Sequence, residues 1–585
     1  MRSIILLSAM LAIGPPASAG TPFAIEVVDG STGRGVPLIE LKTVNEIRYV
    51  TDSAGVVAFD EPGLLGQSVF FHVRGHGYEF PADGFGIRGK ALKVTEGGHA
   101  RLEVRRVNVA ERLYRSTGGG IYRDSVLVGR KPPIREPLLN AQVFGSDSVQ
   151  ETPFRGKLYW FWGDTNRPSY PLGNFHMPTA TSLLPADGGL DPESGVDLDY
   201  AVGPDGFAAP SARMAGDGPT WIDALTVLKD GSGNERLFAA FGKVRPPMTI
   251  YRRGLAEFDP ATRRFSEVGP IPPEAPIIPF GHTFHHVAGG SEYVYFADPY
   301  PIVRVRANVE DFLHLDRYEA FTCLLPGSTP AHPNIDRADD GSARYAWRRG
   351  APPLDAQQQE KLVQSGAIRP GDALFHLRDA ESGRAVVAHR GSVYRNDYRD
   401  RWVMIAVEIG GTTSHLGEVW YAEADSPLGP WAYARKVVTH DRYSFYNPKQ
   451  HPAFAKDGGR VIFFEGTYTV SFSGNSDPTP RYEYNQVAYK LDLADPRLNL
   501  PSPRDETGGR FVAKRPGEHA AFHALDRAGP GTVAVGGFHA LPLDGKEAPG
   551  TAILHESNGR YSVEGTGRPV ARAWRNPMGW DLPIE

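Results

Sequence analysis

The chain has 585 residues, with 63 Lys and Arg against 68 Asp and Glu and a formal net charge of −5. Because the basic residues are spread along the chain and form no stripe, nucleic acid is not expected as a partner. The single cysteine, Cys323, excludes an internal disulfide and any zinc site that needs two Cys ligands. The 66 Gly, 50 Pro and 11% aromatic residues predict an all-β chain of short strands and tight turns, with aromatic surfaces for ring-shaped ligands.

Residues 1–20 have the layout of a secretory signal peptide. Arg2 precedes an apolar run from Ile4 to Ile13, and small residues surround Ala19. We therefore expect a secreted or periplasmic protein. The apolar run is too short to cross a bilayer, and no later stretch reaches the roughly 18 uninterrupted apolar residues of a transmembrane helix. No membrane span is expected.

Residues 21–110 are predicted to form a small β-sandwich. Apolar and polar residues alternate in short runs separated by turn signals such as Asp29-Gly30. Residues 27–37, Val-Val-Asp-Gly-Ser-Thr-Gly-Arg-Gly-Val-Pro, are followed by Thr-Asp-Ser-Ala-Gly-Val at 51–56. This pattern resembles transthyretin-like or carboxypeptidase-regulatory accessory modules, and the resemblance implies a role in scaffolding or attachment.

Residues 117–500 are predicted to form a five-bladed β-propeller. A loose unit of an aromatic strand, a turn and a second strand ending in Asp or Glu recurs along this region, which is typical of propeller blades. The five copies centre on Lys157–Asp164, Glu235–Lys243, Glu292–Asp298, Asp400–Ile409 and Gly459–Thr467. Residues 327–385, with helical periodicity at 354–363, are interpreted as an insertion that shapes a cleft. Residues 501–585 are predicted to be a C-terminal β extension.

Three acids are the candidate catalytic residues: Asp147, Asp164 and Glu465. Cleavage of a glycosidic bond needs two carboxyl groups beside the bond, one to donate a proton and one to activate water or attack the sugar. Strand ends from all blades of a propeller meet at its axis, so acids distant in sequence can converge there. Glu465 follows an apolar stretch, where desolvation would raise its pKa into the range of a proton donor.

The motifs around these acids resemble a known family. Asp147-Ser148 is followed by Gly-Lys-Leu-Tyr-Trp-Phe-Trp-Gly-Asp-Thr at 156–165. This is similar to the opening of a bacterial propeller family that contains endo-D-arabinanases, in which the two matching aspartates are the catalytic pair. The segment 417–431, with Asp-Ser-Pro and Gly-Pro-Trp, resembles propeller hydrolases of the arabinanase and xylosidase type. These resemblances imply a five-bladed propeller and an arabinan-like substrate.

A second set of residues is predicted to contact the sugar through hydrogen bonds or ring stacking. It comprises Asp124, Trp162, Asp223, His282, Asp298, Asn447, Lys449, Gln450 and His451. Each also has a structural interpretation: Asp can cap a turn, Trp can belong to a blade core, and the loop at 446–452 can simply join blades. The histidines at 282–286 lack the His-Glu-x-x-His spacing of a zinc hydrolase, so no metal or cofactor is predicted, although a structural calcium is compatible with His415.

We therefore predict a secreted glycoside hydrolase that cleaves a polysaccharide or oligosaccharide by carboxylate acid and base chemistry. One alternative is a non-catalytic surface propeller that binds carbohydrate with the same acids. Another is a polysaccharide lyase, for which His282, His451 and Arg481 would supply the base and the uronate neutraliser. The sugar, the linkage, endo or exo action, the stereochemistry and the oligomeric state stay open.

Overall fold

A computed structural model describes residues 20–500 apart from 330–331, 425 and 430, and the backbone of six strands after residue 500. The signal-peptide prediction at 1–20 falls almost entirely outside the described residues. The described elements are mainly β-strands, so the prediction of an all-β chain is confirmed. None of the helices in this part of the chain has the length and apolar character needed to cross a membrane.

The N-terminal unit is an eight-stranded sheet around its own core. Its strands are β1 (Phe23–Asp29), β2 (Ile39–Thr43), β3 (Arg48–Val50), β4 (Val56–Phe59), β5 (Ser68–Gly75), β6 (Tyr78–Glu79), β7 (Gly89–Lys93) and β8 (His99–Arg106). They pair in the order β3-β2-β5-β6-β8-β1-β4, with β7 also on β5. Alternate residues such as Ile39, Leu41 and Phe71 point into one apolar cluster, as the apolar-polar alternation predicts.

The rest of the described chain forms a series of antiparallel sheets. The first elements are β9 (Glu111–Arg115), α1 (Arg123–Leu127), β10 (Gly145–Ser146), β11 (Gln150–Phe154), β12 (Lys157–Phe161), β13 (Thr165–Arg167), β14 (Tyr170–Asn174), β15 (Thr179–Ser182) and β16 (Asp199–Tyr200). The next are β17 (Thr220–Lys229), β18 (Glu235–Arg245), β19 (Thr249–Asp259), β20 (Arg264–Ile271), β21 (His282–Ala288), β22 (Ser291–Ala297), β23 (Val303–Arg306), α2 (Val309–Leu313), β24 (Glu319–Thr322) and β25 (Ala346–Arg348).

Further along the chain come α3 (Ala356–Gln364), β26 (Arg378–Asp379), β27 (Ala388–Asn396), β28 (Arg401–Glu408), β29 (Val419–Ala424), β30 (Tyr433–Val438), β31 (Ser444–Gln450), β32 (Val461–Thr469) and β33 (Asn485–Asp492). The last strands are β34 (Ser502–Pro503), β35 (Phe511–Lys514), β36 (Leu525–Arg527), β37 (Val533–Leu541), β38 (Ala552–Ser557) and β39 (Arg560–Val563). They form two three-stranded sheets within the region predicted as a β extension. Helix α3 lies where the sequence has helical periodicity.

Five of these sheets follow one another along the chain. The first sheet is β11-β12-β15-β16, the second β17-β18-β19-β20, the third β21-β22-β23-β24-β25, the fourth β27-β28-β29-β30-β26 and the fifth β31-β32-β33-β9. The first strand of each of the first four sheets contacts the first strand of the next sheet. Each of the five predicted repeat units coincides with the second strand of one of these sheets. The small sheet β10-β13-β14 lies beside the first.

Strand β12 shows how the sheets pack face to face. Tyr159 and Phe161 join a cluster with residues of the second sheet. Leu158 and Trp160 join a different cluster with residues of the fifth sheet. Because successive side chains of a strand point to opposite faces, an aromatic run fits a strand that is buried on both sides. Full burial of each large apolar side chain contributes roughly 1.5–3 kcal/mol.

Two features join the fifth sheet back to the start of the series. Strand β9 precedes the first sheet in sequence but pairs antiparallel with β33 as the outer strand of the fifth sheet. Inside, Lys449 Nζ of β31 lies 2.7 Å from Glu151 Oε2 of β11, and both side chains are buried. Burial alone would raise the pKa of Glu151, but Lys449 and a hydrogen bond from His451 outweigh it and lower the pKa to about 2.

The N-terminal unit docks on the fifth sheet through buried polar contacts. The Tyr482 hydroxyl donates to the Thr51 carbonyl at 2.7 Å, and His76 lies 3.0 Å from the Tyr468 hydroxyl. Asp124 of α1 belongs to the same junction: it accepts hydrogen bonds from the Ala58 amide at 3.2 Å and from Arg481 at 2.5 Å. Asp124 is only 2% exposed. The prediction that it contacts a sugar is therefore not supported.

We expect the Glu151–Lys449 pair to hold the ends of the series together. Lys449→Met should lower the free energy of unfolding by about 3–5 kcal/mol, because Glu151 would stay buried without a partner. The double variant Glu151→Leu, Lys449→Met should recover much of that loss. Urea unfolding followed by tryptophan fluorescence measures both.

The matched control is Arg460→Gln, which breaks the exposed ion pair between Arg460 and Asp492 on the same sheet. Exposed pairs contribute little, so its urea midpoint should stay near that of the unaltered protein. A Lys449→Met midpoint equal to the control's would contradict a closing role for the buried pair.

Candidate active site

One edge of the five sheets gathers most of the predicted acids. This edge, called the site edge below, is formed by the N-terminal ends of β11, β17, β21, β27 and β31 and by the loops that follow the second strands. At three of the five ends the pairing register shifts, near Ala224, Arg390 and Asn447. These residues have φ of 55°, 49° and 51°, and Ser148 before β11 has 53°. Bulges and strained backbone of this kind cluster at functional sites.

Asp147 and Asp164 lie side by side at the site edge. Asp147 directly follows β10 and lies just ahead of β11, and Asp164 lies in the loop between β12 and β13. The Asp147 amide donates to the Asp164 carbonyl at 3.3 Å, and the Gly163 amide donates to the Asp147 carbonyl at 2.7 Å. The structure therefore brings together the two aspartates that the sequence motifs single out.

Gly163 is the residue that permits this approach. A Cβ atom at Gly163 would lie 2.0 Å from Asp147 Oδ1, well inside the contact distance of real atoms. The Asp147 carboxylate thus occupies the space that any side chain at position 163 would need. This explains the glycine of the Trp-Gly-Asp-Thr motif physically.

The two carboxyl groups have different hydrogen-bonding environments. The Tyr446 hydroxyl donates to Asp147 Oδ2 at 2.7 Å, whereas the Trp221 indole N–H donates to Asp164 Oδ1 at a longer 3.3 Å. Burial and then the charge of Asp147 raise the pKa of Asp164 to about 7, and the Trp221 hydrogen bond opposes that rise. Burial also raises the pKa of Asp147, against the hydrogen bond from Tyr446. Asp164 is therefore the carboxyl that holds a proton near neutral pH.

A second pair of acids flanks Arg390. Asp223 Oδ1 accepts the amides of Ala224 at 2.7 Å and Gly281 at 2.6 Å. Arg390 donates to Asp298 Oδ2 at 3.0 Å. Burial raises the pKa of Asp298 to about 6 against the opposing charge of Arg390, and the charge of Asp223 adds to the rise. Asp223 and Asp298 thus meet at the site edge, as the sequence predicts for strand-end positions.

The fifth sheet completes the site edge with polar and aromatic groups. Asn447 donates through Nδ2 to Ser148 Oγ at 2.8 Å. Burial raises the pKa of the Tyr484 hydroxyl, and the negative charges of Asp147 and Asp164 raise it further. Phe472 packs edge-on against Tyr446, with 5.8 Å between ring centroids, yet its side chain is 59% exposed. An exposed aromatic ring therefore lies against Tyr446, the hydrogen-bond partner of Asp147.

Glu465 is not at the site edge. It lies in the middle of β32, is only 3% exposed, and accepts a hydrogen bond from Ser116 at 2.6 Å. Its other oxygen lies 3.7 Å from His451 Nε2. Burial raises the pKa of Glu465, as expected from its apolar strand. Glu465 is therefore enclosed between sheets and separate from the Asp147–Asp164 pair, and its role as a proton donor stays a sequence-based prediction.

Four further predicted contacts are also interior. Lys449 and His451 bind Glu151, and Gln450 Nε2 donates to the Ser392 carbonyl at 2.9 Å. Trp162 is 1% exposed and stacks on Trp160 within the core. These side chains have no exposed surface for a sugar, and their dense hydrogen bonding belongs to the packing between sheets. The structural interpretation fits them better than the functional one.

His282 occupies an intermediate position. It begins β21 directly opposite Ala297 and is buried, with burial lowering its pKa well below the usual range. Its Nδ1 has no hydrogen-bond partner among the described residues. In the same part of the chain, no group of three or more His, Cys, Asp or Glu side chains is arranged to hold a metal ion. The compatibility with calcium stays a sequence-based prediction.

Sequence reasoning did not single out Arg390, Tyr484 or Phe472. All three lie in segments without a distinctive motif, and Phe472 and Tyr484 have positive φ values of 67° and 59° that the sequence does not encode visibly. For Arg390 the sequence does hold one signal: it is followed by Gly391 near the beginning of a strand, and glycine within a strand often marks a bulge.

Comparison with known proteins gives structural similarity only. No protein-family model and no curated protein matches the chain. The chain is similar to an exo-β-1,3-galactanase from Phanerochaete chrysosporium, with 9% identity, 66% of this chain and 68% of that one covered, and a TM-score of 0.33. It is also similar to a GH43_1 enzyme from Xanthomonas citri in complex with xylose, with 14% identity, 70% of this chain and 94% of that one covered, and a TM-score of 0.30. A third similar structure is an exo-1,5-α-L-arabinanase from a bovine ruminal metagenomic library, with 9% identity, 63% of this chain and 97% of that one covered, and a TM-score of 0.29. Because these scores lie below 0.5, the function has to be inferred from the chain's own residues.

The unequal carboxyl groups can be observed directly. In protein labelled with ¹³C at the aspartate carboxyls, one signal should titrate near pH 7 and disappear in Asp164→Asn. Asp147→Asn should lower that midpoint by removing a nearby negative charge, and Trp221→Phe should raise it by removing a hydrogen bond to the charged form. Asp230→Asn, in an exposed turn, is the control and should leave it unchanged. If Asp164→Asn removes no signal that titrates above pH 6, the assignment is wrong.

Proposed function

We propose that this chain is a glycoside hydrolase, that its five sheets are the blades of a five-bladed propeller, and that Asp147 and Asp164 cleave a glycosidic bond at the site edge. The observation that carries the proposal is the pairing of two aspartates through a backbone hydrogen bond, with the charge of Asp147 acting on Asp164, whose pKa is about 7. Two carboxyl groups with different environments are the requirement of glycosidic bond hydrolysis.

Asp164 is the proton donor in this proposal. With a pKa of about 7 it still carries a proton in a large part of the molecules at neutral pH, and it can pass that proton to the glycosidic oxygen as the bond breaks. Trp221, whose indole N–H bonds one oxygen of Asp164, would orient the carboxyl group. After the leaving group departs, the same hydrogen bond stabilises the carboxylate that remains.

Asp147 is the partner carboxylate. It either activates a water molecule or attacks the anomeric carbon, and the hydroxyl of Tyr446 stabilises its ionised form. Its negative charge in turn favours the protonated form of Asp164. The charge of Asp147 thus supports the protonation state that Asp164 needs.

The remaining groups of the site edge would hold the sugar. Asp223, Asp298, Arg390 and Asn447 offer both donors and acceptors, the mixture that sugar hydroxyls require. The exposed ring of Phe472 would stack on a sugar ring. A carbohydrate chain is therefore the partner that these side chains fit.

The substrate class and the location follow from the sequence motifs. The segment at 156–165 resembles the arabinanase-containing propeller family, so an arabinan-like polysaccharide is the first substrate to test. The layout of residues 1–20 supports export to the periplasm or the medium. The N-terminal unit would act as a scaffold docked on the fifth sheet.

Substitution of the two aspartates tests the hydrolase directly. Asp164→Asn and Asp147→Asn should each lower kcat on the cleaved glycan by about 10²–10⁴-fold while retaining glycan binding, because the proton transfer is lost and the binding groups remain. In the unaltered enzyme, kcat/KM should fall as pH rises above about 7, since Asp164 then loses its proton. Asp230→Asn is the control and should be fully active.

Product analysis on arabinans, xylans and uronate-containing glycans separates the alternatives. Binding without turnover by the unaltered protein would favour a non-catalytic carbohydrate-binding protein. Ultraviolet absorbance from an unsaturated product would identify a lyase. Full turnover by Asp164→Asn would overturn the proposed mechanism.

Phe472 offers a test of the sugar-binding surface. Phe472→Ala should raise KM by about tenfold with little change in kcat, because stacking lost in both ground and transition states removes uniform binding. Phe472→Trp should restore KM. Phe85→Ala removes a ring that is 92% exposed on the N-terminal unit and should change neither constant. A KM unaffected by Phe472→Ala would exclude the ring from the binding surface.

A further inference from the structure

Arg253 lies in a row of residues that crosses the second sheet from the site edge. On β17, Trp221 pairs with Gly242 of β18, and Gly242 pairs with Arg253 of β19. Residues that pair directly across strands project from the same face of a sheet. Gly242 has no side chain of its own, and the Ile250 side chain packs over it between Trp221 and Arg253. Trp221 itself reaches Asp164.

Arg253 makes no ion pair among the described residues, and unlike Arg245 and Arg264, the other arginines of this sheet without one, it is not exposed. Arg236 pairs with Glu257, and Arg252 pairs with Glu267. Arg253 is half-buried but makes no ion pair or hydrogen bond within the described part of the chain. A partly buried cation without a partner costs free energy in the unliganded protein. A ligand that supplied the missing anion would remove that cost.

Arg390 adds a second positive charge to the same region. The charges of Arg253 and Arg390 act on each other and both act on Asp223, so the three groups are neighbours. Arg390 is partly committed to Asp298 and packs over the Phe280 ring at 4.1 Å. Asp298 and Asp164 hold protons more readily than ordinary aspartates, which reduces the local negative charge. Arg253 has the charge of Asp223 nearby but makes no ion pair or hydrogen bond among the described residues.

We propose that Arg253, assisted by Arg390, binds an anionic substituent of the glycan, either the carboxylate of a uronic acid residue or a sulfate ester. The planar guanidinium presents parallel N–H donors that match both groups. The inference rests on the proposed carbohydrate-cleaving function and narrows its substrate class to an acidic glycan. The anionic substituent would belong to a sugar residue near the bond that the Asp147–Asp164 pair cleaves.

Calorimetric binding tests the inference in an Asp164→Asn background, where glycans stay intact. Oligogalacturonate, a sulfated carrageenan oligosaccharide and a neutral arabino-oligosaccharide are the three probes. Arg253→Gln should weaken binding of one acidic probe by about tenfold or more and of the neutral probe by less than about twofold. Arg253→Lys should retain part of the acidic affinity. Binding of the acidic probe should also weaken as salt rises.

Arg264→Gln is the matched control. It removes the same charge from an exposed position near the opposite end of the same sheet and should leave all three affinities unchanged. Circular dichroism and the thermal midpoint show whether each variant is folded. If Arg253→Gln does not fold, the unaltered chain decides: a neutral probe that binds as tightly as both acidic probes, with no salt dependence, overturns the inference.

The outcomes separate this inference from the proposed function. Equal binding of the acidic probes by Arg253→Gln and the control overturns the anion site even if neutral glycans are hydrolysed. If an acidic probe binds in an Arg253-dependent way but the unaltered protein turns over no glycan, the proposed hydrolase activity is overturned and the anion site is retained. The two acidic probes distinguish a carboxylate from a sulfate ester.

Discussion

A buried ion pair between Glu151 and Lys449 links the first sheet to the fifth. It joins the first strand of the first sheet to the first strand of the fifth, and the two residues are 298 positions apart in the sequence. Burial of two charges is unfavourable unless they are paired and hydrogen-bonded, and here His451 and the Gln450 carbonyl complete the pairing. Tyr446, on the same strand as Lys449, donates to Asp147, so the first and fifth sheets are joined both inside the fold and at the candidate site.

Around this joint the chain separates polar groups by their depth. On β31, Lys449 and Gln450 are enclosed and satisfied by protein partners, whereas Asn447, two residues earlier than Lys449, is bulged to the site edge. Contacts run from sheet to sheet along this edge: Trp221 to Asp164, the Gly281 amide to Asp223, Arg390 to Asp298, and Tyr446 to Asp147. Each contact joins two sheets and holds a carboxyl group. The acids are therefore fixed by the packing that builds the fold.

The cost of this arrangement is local backbone strain and carboxyl groups with raised pKa values. Residues with left-handed backbone outside glycine typically cost of the order of 1–3 kcal/mol each. Burial of Asp164 beside Asp147 disfavours its charged form. Ordinary strand geometry would remove the backbone strain, and greater exposure to solvent would lower the carboxyl pKa values. Their concentration at one edge is consistent with a rigid scaffold that supports a reactive site.

The sequence by itself determined the all-β class, the positions of the five second strands and the Asp147–Asp164 pair, because alternation, turn residues and the Trp-Gly-Asp-Thr motif are local signals. Gly163 is part of that motif, but only the tertiary structure explains why glycine is needed there, because Asp147 Oδ1 occupies the space of a side chain. Tertiary structure alone decided that Glu465, Lys449, Gln450 and His451 are interior and that Arg253, Arg390 and Phe472 face the site edge. A strand pattern gives the face of a residue but not its depth between sheets, and depth decides whether a polar side chain meets protein or ligand.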